Sequence, residues 1–151
     1  MSTKPSEHTV TMTPLEKLGL SIKRLQDQHH RTLDAELTSL GVSLVQWHAL
    51  REIDRYPGSS QLRLAELTFN SAQAFGALVT RMESASLIRR TPSGGRAFAL
   101  SLTSKGEKLL KEGRQVVLDV LADSFGGLSE KERATLQKLI TKALHHSETA
   151  E

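Results

Sequence analysis

Apolar residues recur at helical spacing along most of the chain. The first apolar stripe follows Thr13-Pro14, advances by three or four residues at a time and ends at Gly41. This spacing is typical of one face of a long helix. Thr13 and Glu16 form a capping-box pattern at its start. The pattern predicts a helix over residues 13–41, preceded by a polar, flexible tail over residues 1–12.

Three shorter helices are predicted next. Ser43 is suited to cap the second helix, which stops at Tyr56-Pro57-Gly58. The segment QLRLAEL, residues 61–67, predicts a short third helix. After a three-residue break, Ser71 is suited to cap a fourth helix. Two helices joined by a tight turn indicate a helix-turn-helix.

The remaining elements are a hairpin and two helices. LIRRT and AFALSL, joined by a Pro/Gly turn, predict two short strands in which Phe98, Leu100 and Leu102 share one face. Thr103 begins a fifth helix that Gly126-Gly127 breaks, and SEKE at residues 129–132 opens a sixth. The predicted fold is therefore mainly α with a small β-hairpin wing.

This order divides the chain into a winged helix-turn-helix lobe, residues 42–102, and helices at both ends, residues 13–41 and 103–147. The terminal helices carry apolar stripes, and a chain of 151 residues offers few other elements that could cover them. A homodimer formed through both termini would bury them. A monomeric helical bundle is the alternative.

Positive charge is concentrated in the middle of the chain. The net charge is +3 overall, but residues 61–111 alone carry +5 and the rest carries −2. This distribution suggests a polyanion-binding face, although a solvated basic surface without a partner is equally compatible with it. No apolar run approaches the roughly 20 residues of a membrane span, and the N-terminus lacks the apolar core of a secretory signal. A cytoplasmic location without a membrane partner is expected.

Enzymatic and metal chemistry find little support. The absence of cysteine excludes disulfides and cysteine metal sites. Six histidines are present, but they lack the spacing of zinc ligands, so structural or solvated roles are expected for them and no metal site is predicted. PSGGR lacks the spacing and lysine of a phosphate-binding loop, and neither Ser-x-x-Lys nor G-x-S-x-G occurs. We expect neither catalysis nor a cofactor.

The order of elements, together with LRLAEL, RMESASLIRR and GGRAFALSLTSKG, resembles the MarR family of bacterial winged-helix transcription regulators over residues 15–144. The resemblance implies a homodimeric regulator, more often a repressor, that binds a pseudo-palindromic operator in double-stranded DNA. The fourth helix would enter the major groove, and Arg96 at the wing tip would enter the adjacent minor groove.

The resemblance also implies which residues contact DNA. Gln73 is suited to adenine edges, and the hydroxyls of Ser71 and Thr80 are suited to phosphates. Phe75 is as well suited to the core, and Arg81 to an internal ion pair. Alternation along the first strand turns only one of its two arginines, Arg89 or Arg90, toward DNA. The implied contacts are Arg63, Ser71, Ala72, Gln73, Phe75, Gly76, Thr80, Arg81, Arg90, Gly95 and Arg96.

The chain departs from the family pattern near these contacts. Gly94 replaces an acid that helps to fix the wing arginine, and the wing is about two residues short. Ser86 replaces a glycine before the strand, which predicts a strained turn. Gly76 and Ala77 stand where polar or basic residues are common. Specificity would then come more from groove shape and dimer spacing than from base contacts.

Many family members bind small aromatic acids between the lobe and the dimer helices, which implies an effector site here. Trp47 would supply an apolar wall, and Arg24 or Arg51 would pair with a carboxylate, near His30 and His48. Alternatively, Trp47 is core and the arginines lie on the surface.

Two other functions of the whole protein are compatible with the sequence. It could be a constitutive DNA-binding dimer or a helical protein–protein interaction module.

Overall fold

The computed structural model describes residues 10–95 and 98–150, which form six helices and one hairpin. The order agrees with the predicted one, and the fold is mainly α. The elements are α1 (Pro14–Thr38), α2 (Leu44–Arg55), α3 (Gln61–Leu67), α4 (Ala72–Ser84), β1 (Ile88–Pro92), β2 (Phe98–Leu102), α5 (Ser104–Ser124) and α6 (Glu130–Glu148).

Hydroxyl side chains begin the helices, as predicted for Thr13, Ser43, Ser71, Thr103 and Ser129. Each hydroxyl accepts a hydrogen bond from the backbone N–H three residues further on, which satisfies a donor that the helix leaves free. Ser60, which the sequence reading did not single out, caps α3 in the same way. α1 ends at Thr38, three residues before Gly41, whose φ of 86° reverses the chain.

The two strands pair antiparallel, with Ile88 opposite Leu102 and Pro92 opposite Phe98. Leu100 and Leu102 are buried, but Phe98 is 48% exposed. The predicted apolar face therefore holds for two of its three residues, because Phe98 lies beside the hairpin tip, where the core no longer covers the strand. Ser86, in the turn before β1, has a φ of 59°, which confirms the strain predicted there.

The core lies among the C-terminal part of α1, the helices α2 to α4, the hairpin and the start of α5. At Gly106 in α5 a Cβ atom would collide with the backbone carbonyl of Leu87, so this glycine lets α5 lie directly against the turn that precedes β1. The largest fully buried side chains are Phe75, Leu37, Leu44, Leu50, Leu64, Met82, Ile88, Val42 and Val79.

The helices at the two ends of the chain, α1 and α6, differ from the helices of the core because most of their apolar residues are exposed to solvent. Only Leu33 and Leu37 of α1 are buried, and no residue of α6 is. Among the described helices, none is both long and apolar enough to cross a membrane. The large apolar residues exposed on α1, α5 and α6 are Leu15, Leu18, Ile22, Leu118, Leu139, Ile140 and Leu144.

Candidate nucleic-acid interface

The N-terminal end of α4 forms an exposed, uncharged surface. Ser71, Ala72 and Gln73 are all exposed. The hydroxyl of Ser71 accepts from the N–H of Ala74 at 3.1 Å, so its own proton stays available. The helix end also presents free N–H groups, which favour phosphate. This end of α4 can therefore donate to an anion through both its backbone and Ser71.

Two predicted contacts on α4 have other roles in the protein. Phe75 is completely buried in the core, so the prediction that it contacts DNA is wrong: its ring fills space between helices. Gly76 is half-buried, and a Cβ there would lie 3.2 Å from Nε2 of Gln61 on α3. Its small size lets the two helices of the helix-turn-helix approach each other.

The second half of α4 carries Thr80 and Arg81, both exposed. Thr80 donates its hydroxyl proton to the carbonyl of Gly76 at 3.1 Å, and this bond would have to break before Thr80 could donate to a phosphate. Arg81 has no acidic partner within 4.0 Å among residues 10–95 and 98–150. Of the two roles weighed for Arg81, the internal ion pair is therefore not found in the described chain.

Two further predicted basic contacts, Arg63 and Arg90, are paired with acids. Arg63 bonds Glu66 at 3.3 Å, and both side chains are more than half exposed. Such a pair contributes little stability, so Arg63 can exchange its partner for a phosphate at low cost. Arg90 lies 3.4 Å from Glu83 at the end of α4, and this pair ties the hairpin to the helix. Arg89 is exposed on the same strand.

The hairpin tip is described only in part. Gly94 and Gly95 are exposed and have φ values of 100° and 60°, a region that glycine adopts without strain. Arg96 and Ala97 lie outside the described residues, so the predicted minor-groove contact of Arg96 rests on the sequence.

Phe69 was not among the predicted contacts; it is 97% exposed in the turn between α3 and α4 and has a φ of 58°. A large apolar residue beside the predicted cap at Ser71, in a turn too short to bury it, is the signal that would have identified it.

One predicted effector residue of α2, Arg51, pairs with a buried acid. Glu52 is only 3% exposed. Its Oε1 accepts from Arg51 at 2.8 Å and from Arg55 at 3.3 Å. The guanidinium of Arg51 also lies 5.4 Å from the centre of the Trp47 ring. Arg51 is thus held in place and partly neutralised, which leaves only part of its donor set for a carboxylate.

Trp47 belongs to the core, which was the alternative reading. It is 3% exposed, and its Nε1 donates to the carbonyl of Leu110 at 3.2 Å.

Burial lowers the pKa of the neighbouring His48 to about 4, and the positive charges of Arg51 and His30 act in the same direction. His48 is therefore uncharged at neutral pH and cannot attract an anion by charge. Arg24 lies six residues before His30 on α1, about 9 Å along the helix.

The histidines show no metal site among the residues that the structure describes: no three His, Asp or Glu side chains lie close enough together to hold an ion. His29 has a structural contact instead. Its Nε2 lies 2.6 Å from Oγ of Ser124, and its ring meets Phe125 edge-on with centroids 5.1 Å apart. This histidine joins α1 to the end of α5.

Comparison with known proteins places this geometry among transcription regulators. A family model described as MarR family matches residues 40–97. The HTH-type transcriptional repressor Rv2887 of Mycobacterium tuberculosis is 26% identical over 127 residues, which cover 83% of this chain and 91% of the relative. The transcriptional regulator HosA of Escherichia coli is 28% identical over 126 residues, covering 82% and 92%.

Solved structures share the fold. Rv2887 in complex with salicylic acid gives a TM-score of 0.70 at 26% identity, covering 83% of this chain and 95% of that one. A variant of MarR from Escherichia coli, complexed with operator DNA, gives a TM-score of 0.78 at 23% identity, covering 86% and 95%. At that identity the second likeness shows the fold alone.

Proposed function

Because the chain belongs to the MarR family of transcription regulators, we propose that it is a homodimeric repressor that binds a pseudo-palindromic operator in double-stranded DNA. The observation that carries the proposal is the exposed start of α4, where Ser71, Ala72 and Gln73 are accessible, together with the basic hairpin that follows this helix. A helix end of this kind can enter the major groove while the hairpin follows the backbone.

The distribution of positive charge also supports the proposed DNA binding. Arg63 is exposed on α3, Arg81 in the last turn of α4 and Arg89 on β1, so exposed positive charge lies on three elements of this lobe. Phosphate contacts position a protein on the duplex, and base contacts then select the sequence. Gln73 is the residue of α4 best suited to a base edge, because its amide both donates and accepts. The proposed mechanism is therefore many backbone contacts combined with few base contacts.

The dimer is proposed from the uncovered terminal helices. Leu18 and Ile22 of α1 are each 57% exposed, and Leu139 and Leu144 of α6 are 58% and 59% exposed. Exposed apolar surface of this extent on two helices marks an interaction site. We propose that residues 13–41 and 103–147 form the dimerisation region and that residues 42–102 form the DNA-binding lobe, so that two α4 helices face successive major grooves.

A gel-shift experiment tests DNA binding. Duplexes selected by the protein from a randomised pool should be retarded, and retardation should weaken as salt rises. For Arg96→Ala we expect roughly tenfold weaker binding and a salt slope smaller by about 1 for each lost phosphate contact. Lys131→Ala on α6 removes the same charge elsewhere and should bind as wild type does. Unchanged affinity of Arg96→Ala would disprove the wing contact. Failure to select any duplex would favour a protein–protein interaction module.

We further propose that a small aromatic carboxylate regulates the binding, on the basis of the relative solved with salicylic acid. Sodium salicylate should raise the melting midpoint of the free protein, since a ligand that binds only the folded state stabilises it, and it should release the bound duplex. Sodium chloride at equal concentration controls for ionic strength. If salicylate does no more than sodium chloride, the alternative of a constitutive DNA-binding dimer gains support.

The relatives are transcription regulators and not enzymes, and we propose no catalytic role. A DNA-binding regulator acts where the chromosome lies, so we propose that this protein acts in the cytoplasm.

A further inference from the structure

Phe69 has two unfavourable properties at once. Its side chain is 97% exposed, which leaves a whole aromatic ring in water. Its backbone φ of 58° lies in the left-handed region, which residues with a Cβ atom rarely adopt. Glycine would remove both costs without changing the path of the chain. A strained and exposed aromatic residue indicates that the ring has a partner outside the protomer.

The turn holds Phe69 in a fixed position. Its own N–H donates to the carbonyl of Glu66 at 3.1 Å. On one side, Thr68 donates its hydroxyl proton to Leu64 at 2.8 Å. On the other, the N–H of Asn70 donates to Ala65 at 2.9 Å, and its side-chain amide donates back to Oγ1 of Thr68 at 2.9 Å. Because both neighbours are bonded, the backbone that carries the ring is held in a rigid turn.

The position of the turn suggests the partner. Phe69 lies two residues before Ser71, the cap of α4, and therefore at the end of the helix that we propose enters the major groove. The exposed residues that follow, Ala72, Gln73 and Ala74, carry no charge. In the major groove, the apolar feature that distinguishes one base from the others is the C5-methyl group of thymine, and phenylalanine is among the side chains suited to it.

We propose that Phe69 is a specificity-determining residue whose ring packs against the C5-methyl group of a thymine in the major groove. The proposal rests on the proposed function and adds a base contact that the charge-poor surface of α4 does not supply. Packing on the deoxyribose of the backbone is the competing arrangement, and it would carry no sequence information.

The test compares wild type with Phe69→Gly on the duplex that wild type selects from a randomised pool. The variant should melt at the same temperature as wild type or higher, because glycine relieves the strain, while its affinity falls about tenfold. Replacing single thymines in the duplex by deoxyuridine removes one methyl group each. At one position this should weaken wild type about fourfold and leave Phe69→Gly unaffected. Phe69→Asn, which also tolerates a positive φ, is a second variant with the same expected behaviour.

Ser86→Gly is the matched control. Ser86 has almost the same φ, 59°, in the turn that follows α4, so its replacement relieves similar strain away from the helix start. It should gain stability and keep wild-type affinity. The proposal is overturned if both Phe69 variants bind as wild type does, or if they weaken binding but still respond to deoxyuridine. A wild type that selects no duplex overturns the proposed function as well, which separates the two failures.

Discussion

Replacing Leu18 and Leu144 together by glutamate should convert the protein into a monomer that binds its operator at least about 100-fold more weakly. Both side chains are more than half exposed in the protomer, and the proposed dimer buries each of them twice. Full burial of a leucine contributes about 1.5–3 kcal/mol. Because these side chains are already partly buried in the protomer, loss of all four weakens the dimer by roughly 3.5–7 kcal/mol. A monomer contacts one half-site and loses the additional affinity that two linked half-site contacts provide. Sedimentation and gel-shift titration measure the two effects.

Lys17→Glu combined with Lys142→Glu is the control for charge. These lysines lie on other faces of the same helices, given about 100° of rotation per residue. Lysine to glutamate changes the charge twice as much as leucine to glutamate, so the control shifts the net charge further than the test variant does. The control should remain dimeric. A test variant that stays dimeric at micromolar concentration, or a wild type that sediments as a monomer, would contradict the assignment of α1 and α6 to the interface.

Trp47→Ala should be the most destabilising single substitution in the predicted effector region. The ring is buried, and its N–H donates to Leu110. Truncation of a buried tryptophan costs about 3–5 kcal/mol, which lowers the melting midpoint of a chain of this size by roughly 10 °C. Trp47→Phe keeps a six-membered aromatic ring and should lose about 1–2 kcal/mol, through the smaller side chain and the lost indole hydrogen bond. Urea titration followed by circular dichroism measures both.

Gly113 provides an independent check on the same packing. A Cβ there would lie 2.5 Å from Cδ1 of Trp47 and 3.1 Å from Cδ2 of Leu37, so Gly113→Ala should cost about 1–3 kcal/mol. Trp47→Phe vacates part of that space, and the double variant should therefore cost at least about 0.5 kcal/mol less than the two single costs combined. Gly127→Ala, whose Cβ meets nothing within 4 Å, is the control. Wild-type stability of Trp47→Ala would place the ring in an open site rather than in the core.

Local signals in the sequence were sufficient for the elements. Each predicted cap lies where a hydroxyl residue precedes an apolar stripe, because the hydrogen bond that begins a helix joins residues only three apart. The hairpin followed in the same way from alternation and a glycine-containing turn. The strained turn at Ser86 was also predictable, since its consequence is local.

The candidate site was only partly predictable, because the direction of a side chain depends on what packs against it. Phe75 and Gln73 lie two residues apart on α4, yet one is in the core and the other in solvent. The sequence could not decide between core and DNA for Phe75. It also did not indicate that Arg51 and Arg55 converge on Glu52, a residue that periodicity alone would place on the surface.

The sequence by itself determined the order of helices and strands, the concentration of positive charge in the middle of the chain and the surplus of apolar surface at both ends, since these depend on spacing and composition. Only the tertiary structure decided that Trp47 is core, that Phe69 is exposed in a rigid turn and that no residue of α6 is buried within its own protomer. Burial is a relation between elements distant in sequence, and it is fixed only when they pack together.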